Sequence, residues 1–243
     1  MKVSVGQMVE KECLFGGRST SEVYRIGDVL YRTSCRNSEL YVPLLRFFEE
    51  RGVTETYRYL GNDGKGHDMF SFLEGYVPPD VGGTTQSQLR QFMGIVRRLH
   101  DVSSDFPTAG DGVICHNDLS PCNTVFRSGT PIAVIDWDSA SPGERWEDLT
   151  RIVWLWTNIG SHSRVTDDLL WMIPDSLVAY GADFDTIRNF SSKLKIRMKR
   201  DLSSANRERW DYKRTVDWVE FSLQWVEENS DELDRLTEEA VQP

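Results

Sequence analysis

The chain has 243 residues, with 28 Lys and Arg against 38 Asp and Glu, a formal charge of −10. That length suits one large domain or two small lobes around a real core, and 39% hydrophobic residues with eight Trp exclude wholesale disorder. The acidic balance argues against a nucleic-acid partner, which demands positive charge to displace counterions; it reads first as solubility and second as a pull on cationic partners.

No apolar run approaches the length of a membrane span, so no membrane partner is expected. The first seven residues lack the apolar core of a signal peptide. Cys13, Cys35, Cys115 and Cys122 show no paired spacing, so reduced thiols in a cytoplasmic protein are the expectation.

In chain order, the small polar loop 16–21 comes first and contains Gly16, Gly17 and Ser19. Two β-rich runs, 23–26 and 29–32, then flank Gly27 and Asp28, which predicts a hairpin. Leu40, Leu44, Leu45, Phe47 and Phe48 follow at helical spacing, with Gly52 as the stop. Strands are expected at 57–60 and 69–73. Gly75, Pro78 and Pro79 break the pattern and mark a boundary between lobes 1–75 and 76–243.

Thr85 and Gln88 form a capping box that opens a helix, with its stripe at Leu89, Phe92, Met93, Val96 and Leu99. Short apolar runs at 113–115 and 132–135 bracket a polar loop. Beyond Asp148 the chain reads as helix, apolar all round at 152–156. Strands followed by helices define an α+β class.

The polar loop carries the chemistry. His116, Asp118 and Asn123 have the spacing H-x-D-x-x-x-x-N of a kinase catalytic loop. In such a loop the Asp accepts the proton of the attacking hydroxyl, and the Asn holds magnesium with its amide oxygen. Downstream, the apolar strand 132–135 ends in Asp136, where a kinase places its main magnesium ligand.

With these residues in place, the chain resembles the aminoglycoside phosphotransferase and choline-kinase-like group of small-molecule kinases. The run 116–123 resembles that group's catalytic loop, and Ile135, Asp136, Trp137 and Asp138 its metal strand. Pro142 and Gly143 through Asp148 and Leu149 resemble the segment that follows, and Leu99 and His100 the end of the preceding helix. The resemblance implies a protein-kinase-like fold with a small β-rich N-lobe and a larger, mainly helical C-lobe. It implies transfer of a phosphate from ATP or GTP, with Mg²⁺, to a hydroxyl of a small molecule, a cationic aminoglycoside being one candidate.

By that resemblance Asp118 is the base or orienting carboxylate, and Asn123 and Asp136 hold magnesium. Asp148 is structural, bonding amides that shape the loop, and His116 packs and bonds backbone. Asp138 reads either as a second metal or substrate carboxylate or as a solvated turn residue. Gly17 and Ser19 lie where the group has its nucleotide loop, and the segment from Phe72 to Glu74 is the hinge that meets the base.

One departure stands out. Kinases carry Lys on the third strand, and here the matching strand has Arg32. Arg keeps the charge and grips phosphate with two donors, yet it is not interchangeable with Lys. It reads as a phosphate ligand or as a surface strand residue, and its expected partner is Glu39, Glu49 or Glu50. An altered nucleotide site, or a nucleotide-binding protein without transfer, is the alternative that Arg32 keeps open; a non-enzymatic binding module is a third.

The helical part is charge-segregated. Residues 188–214 hold ten Lys and Arg against three acids, and 215–243 hold nine acids against one Arg. The segments read either as solvated faces that pair with each other or as an acidic attraction for a cationic substrate through Asp217 and Glu220. Trp210, Trp218 and Trp225 read first as core residues and second as a cation–π cage.

Overall fold

A computed structural model describes residues 10–14, 22–35, 37–159 and 167–240. The N-terminal part is a five-stranded antiparallel sheet of β1 (Lys11–Cys13), β2 (Val23–Ile26), β3 (Val29–Thr33), β4 (Tyr59–Asn62) and β5 (His67–Ser71), in the order β1-β2-β3-β5-β4. The expected hairpin is β2 and β3. Gly27 takes a positive φ of 59° at its turn, where a Cβ would be strained. Tyr24 and Tyr31 sit opposite each other and stack, with centroids 4.9 Å apart.

Helix α1 (Ser38–Glu50) buries Tyr41, Leu44, Leu45 and Phe48. Its Tyr41 hydroxyl donates to the buried Asp68 of β5, which also accepts from Asn62 at 3.0 Å. Burial pushes the Asp68 carboxyl up; the donors, Tyr41 first, more than reverse this and hold it below its ordinary range.

The C-terminal part begins with α2 (Gln86–Ser103), opened by the Thr85–Gln88 capping box as expected. Next come β6 (Val113–Cys115), β7 (Thr124–Arg127), β8 (Thr130–Val134) and β9 (Ser141–Gly143). Among the described residues six helices follow: α3 (Arg145–Thr157), α4 (Asp167–Tyr180), α5 (Phe184–Arg188), α6 (Phe190–Ser204), α7 (Tyr212–Glu228) and α8 (Ser230–Glu239). Strand β7 was not foreseen. It pairs with β8 through Ser128 and Gly129, both at positive φ, the geometry of a tight two-residue hairpin.

The two parts are stitched together by backbone. Tyr76 and Phe126 exchange hydrogen bonds of 2.8 and 2.7 Å just beyond Gly75. A Cβ on Gly75 would lie 2.5 Å from Val125 Cγ1 and 2.6 Å from the Phe126 carbonyl, so only glycine fits this approach. On the other side, Val134 N donates to Glu55 O at 2.8 Å, and Trp137 Nε1 donates to Thr56 Oγ1 at 2.9 Å. The Phe48 and Trp137 rings meet at 5.3 Å, within one buried cluster that runs from Tyr41 to Leu233.

Residues 152–156 of α3 are buried on every side, as their composition predicted. Trp225 is buried and Trp218 stacks on Trp154 at 4.5 Å, but Trp210 is 83% exposed, against the sequence expectation. It lies in the turn between α6 and α7, where no neighbouring element covers it. Among the described residues no helix is long and apolar enough to cross a membrane.

Candidate active site

The loop 116–123 joins β6 to β7, and its shape is set from below by α3. Asp148, in the first turn of α3, is fully buried. Its Oδ2 accepts from His116 N at 2.7 Å and its Oδ1 from Asn117 N at 2.8 Å. Asn117 has φ of 67°, a left-handed conformation that costs an L-residue about 1 kcal/mol or more. The bonds from Asp148 offset that cost.

A relay stands behind the carboxylate. Arg145 Nη1 donates to the Tyr180 hydroxyl at 3.1 Å, Tyr180 donates to His100 Nδ1 at 2.7 Å, and His100 Nε2 donates to Asp148 Oδ2 at 3.1 Å. Burial pushes the Tyr180 hydroxyl up to about 12, so it stays protonated and serves as donor. Burial also raises the Asp148 carboxyl, but His100 and His116 overcome this and hold it below the ordinary range. Cys115 completes a buried trio with His100 and Asp148, their polar atoms within 4.8 Å of one another. These atoms are already committed: both His100 nitrogens are bonded and Cys115 Sγ donates to Glu144 O at 3.2 Å.

His116 couples the loop to the strand end. Its Nε2 donates to Ile135 O at 3.0 Å, its Nδ1 accepts from Asp118 N at 3.2 Å, and its ring packs on Trp137 at 4.7 Å. Ile135 N donates to Asn123 O at 2.9 Å, which brings the far end of the loop beside Asp136. Asp136 itself has φ of 69°, with its N–H bonded to Tyr57 Oη at 3.0 Å.

Asp118 is half-exposed. Its Oδ2 accepts from Asn123 Nδ2 at 2.9 Å, and its Oδ1 from Arg151 Nη2 at 3.2 Å. Asn123 Nδ2 also bonds Asp118 O at 2.9 Å, so the amide nitrogen is spent. The Asn123 amide oxygen accepts no hydrogen bond among the described residues. Together with the half-exposed Asp136 carboxylate it offers the hard oxygen ligands that magnesium takes.

Arg32 extends from β3 into this site. Nη1 pairs with Asp136 Oδ1 at 2.8 Å, and Nη2 pairs with Asp138. Burial opposes its charge, but Tyr57, Asp138 and Asp136 outweigh that and hold the guanidinium above its ordinary range. The expected partner on the following helix is therefore corrected. Glu49 turns to Arg58 at 3.6 Å, and neither Glu39 nor Glu50 reaches Arg32 among the described residues. The turn 137–139 projects Asp138 closer to the strand than the helix brings its own carboxylates.

The other expected residues are distributed unevenly. Phe72 donates its N–H to Asp28 O at 2.8 Å and carries the Arg25 guanidinium 3.8 Å over its ring. Glu74 is exposed, pairs with Arg25, and accepts at its carbonyl from Arg127 at 3.0 Å. Gly17 and Ser19 lie outside the described residues. Asp217 receives Lys213 Nζ at 2.6 Å on the outer face of α7. Glu220 is also exposed, and neither is bonded to the loop 116–123 among the described residues.

Two arginines were not singled out as site residues. Arg151 pairs with both Asp118 and Asp201. Arg197, on α6, donates to Asn117 Oδ1 at 3.0 Å, to Asn117 O at 2.9 Å and to Asp201 at 3.1 Å. The basic stretch divides: Arg197 turns inward to the loop and Arg200 pairs with Glu147 on α3, while Arg188 and Lys213 pair with Glu238 and Asp217 of the acidic segment, as one of the two sequence readings expected. A signal for Arg151 existed: it stands three residues after Asp148, on the same helix face.

The comparisons point to the group that the motifs suggested. Residues 86–169 match the model of the phosphotransferase enzyme family. The chain has the protein-kinase-like fold of aminoglycoside phosphotransferases and choline kinases. A choline/ethanolamine kinase family protein from Mesorhizobium loti superposes with a TM-score of 0.60 at 13% identity, covering 96% of this chain and 94% of that one. An ADP-bound aminoglycoside phosphotransferase superposes with a TM-score of 0.56 at 14% identity, covering 90% and 93%. In sequence, the chain is 35% identical over 166 residues to the trifolitoxin immunity protein of Rhizobium leguminosarum bv. trifolii. That match covers 61% of this chain and 62% of the relative's length.

Proposed function

We propose that the protein is a small-molecule kinase that transfers the γ-phosphate of ATP or GTP to a hydroxyl group. The observation that carries this reading is the joint placement of Asp118, Asn123 and Asp136. Asn123 ties its side-chain amide nitrogen to the Asp118 carboxylate, and its backbone carbonyl accepts from Ile135 N, the residue before Asp136.

In this reading Asp118 Oδ accepts the proton of the acceptor hydroxyl as its oxygen bonds to the γ-phosphorus, and the nucleoside diphosphate leaves. Arg151 holds the other Asp118 oxygen and so orients the carboxylate. Asn123 and Asp136 would hold magnesium, which supplies charge neutralisation at the phosphates when bound. Arg32 contacts the phosphates from the sheet side.

The test is a coupled ADP and GDP release assay with Mg²⁺ over cationic and neutral hydroxyl compounds. Turnover is expected with the wild type and its loss with Asp118→Asn. Turnover that persists in that variant refutes the assigned base. Tight Mg-nucleotide binding with no turnover on any acceptor supports instead a nucleotide-binding protein without transfer, the reading that Arg32 keeps open. The identity to an immunity protein favours a toxic compound as acceptor. The assay panel therefore includes hydroxyl-bearing toxins, and protection of a sensitive host by the wild type but not by Asp118→Asn is the expected outcome.

A further inference from the structure

A kinase-type phosphate grip needs a carboxylate to hold the strand cation in place, and that carboxylate ordinarily comes from the adjacent helix. Here α1 does not supply it. The guanidinium of Arg32 instead forks between two carboxylates of one turn, Asp136 through Nη1 and Asp138 through Nη2.

The two partners are not equivalent. Asp136 is the candidate metal ligand, so a bound cation and Arg32 draw on the same carboxylate. Asp138 also faces the Cys35 thiol, and its backbone is clamped. Asn37 Nδ2 donates to Asp138 O at 2.9 Å and to Ala140 O at 3.0 Å, which fixes the turn to the N-terminal end of α1. The buried Trp137 anchors the same turn from beneath through Thr56. One guanidinium facing two carboxylates also leaves the site a net negative charge, which suits a cation at Asp136.

We infer that Asp138 is the positioning residue for Arg32. It holds the guanidinium at the phosphate site whether or not Asp136 is engaged, and so takes over the role that a helix carboxylate plays in a kinase. The inference rests on the phosphotransferase reading and deepens it. It also gives the Arg a reason: a planar fork spans two carboxylates while keeping a fixed orientation, which a point-charge ammonium does not.

The experiment is a titration of the full chain with Mg-ATP and Mg-GTP by calorimetry, alongside steady-state kinetics on any acceptor found. Asp138→Asn is expected to weaken nucleotide binding about tenfold, the loss of one charge-assisted hydrogen bond. The effect falls on KM for the nucleotide more than on kcat. Asp138→Glu should recover part of the affinity, and Glu39→Gln and Glu50→Gln should stay within about twofold of wild type.

Wild-type affinity in a folded Asp138→Asn, or an equal loss in Glu39→Gln or Glu50→Gln, overturns the inference. Should Asp138→Asn fail to fold, Arg32→Lys decides. It is expected to lose as much affinity as predicted for Asp138→Asn, and retained affinity overturns the role of the fork. A wild type that binds neither nucleotide overturns the kinase reading itself, and the inference with it.

Discussion

Replacing Asp148 with Ala strips the loop 116–123 of its support. The carboxylate is fully buried and accepts three hydrogen bonds, from His116 N, Asn117 N and His100 Nε2. Its loss strands two buried donors and one half-buried one, each worth roughly 1–3 kcal/mol when unsatisfied. With some relaxation the cost is on the order of 3–5 kcal/mol, or roughly 10 °C in melting temperature for a chain of this size. Urea unfolding followed by tryptophan fluorescence measures it.

The acid limb gives a second reading of the same group. The Asp148 carboxyl is held below its unfolded value, so its contribution is fully present above the unfolded pKa near ~4 and fades as pH falls through the lower folded value. Asp148→Asn should therefore lose stability at neutral pH and show a flatter decline on acidification than wild type. A loss under about 1 kcal/mol for Asp148→Ala, or an unchanged acid limb for Asp148→Asn, would refute the claim that this carboxylate builds the loop.

The remaining predictions concern the site and the hinge. Arg151→Met frees one Asp118 oxygen and should lower kcat on the order of 10²-fold while leaving nucleotide affinity near wild type, as a kcat and KM comparison would show. Asp136→Ala should remove the Mg²⁺ dependence of nucleotide binding, tested by titration with and without chelator; surviving dependence would discard Asp136 as ligand. Gly75→Ala forces a methyl group against Val125 and the Phe126 carbonyl and should destabilise by about 1–3 kcal/mol in the same urea assay.

The features legible in the sequence were those with local chemical logic. The Thr85–Gln88 box, the hairpin at Gly27 and the stripe of α1 follow from periodicity and turn chemistry, which act over a few residues. The candidate loop 116–123 was legible because Asp118 and Asn123 need a fixed spacing to reach one another, and they do. Strand β7 was hidden by its polar flanks, although Ser128 and Gly129 between β-branched and aromatic residues carried a hairpin signal.

The partners of Arg32 were not legible, because pairing between residues 104 apart depends on how the sheet meets the turn 137–139. For the same reason the attachment of Arg197 to Asn117, 80 residues away, lay beyond periodicity. The basic segment is largely solvent-facing as read, but composition counts residues and does not say which one of them α6 turns inward. Arg197 is in fact buried, with two of its bonds on the loop.

The contact of Phe48 with Trp137 has a consequence for the molecule as a whole. Because that contact belongs to one cluster running from Tyr41 in α1 to Leu233 in α8, described residues on both sides of position 75 share one core. A fragment cut there would carry half a core and expose the rest to water. The sheet and the helices are two shapes sharing one interior, and heat or urea should melt them in a single cooperative step, not one after the other.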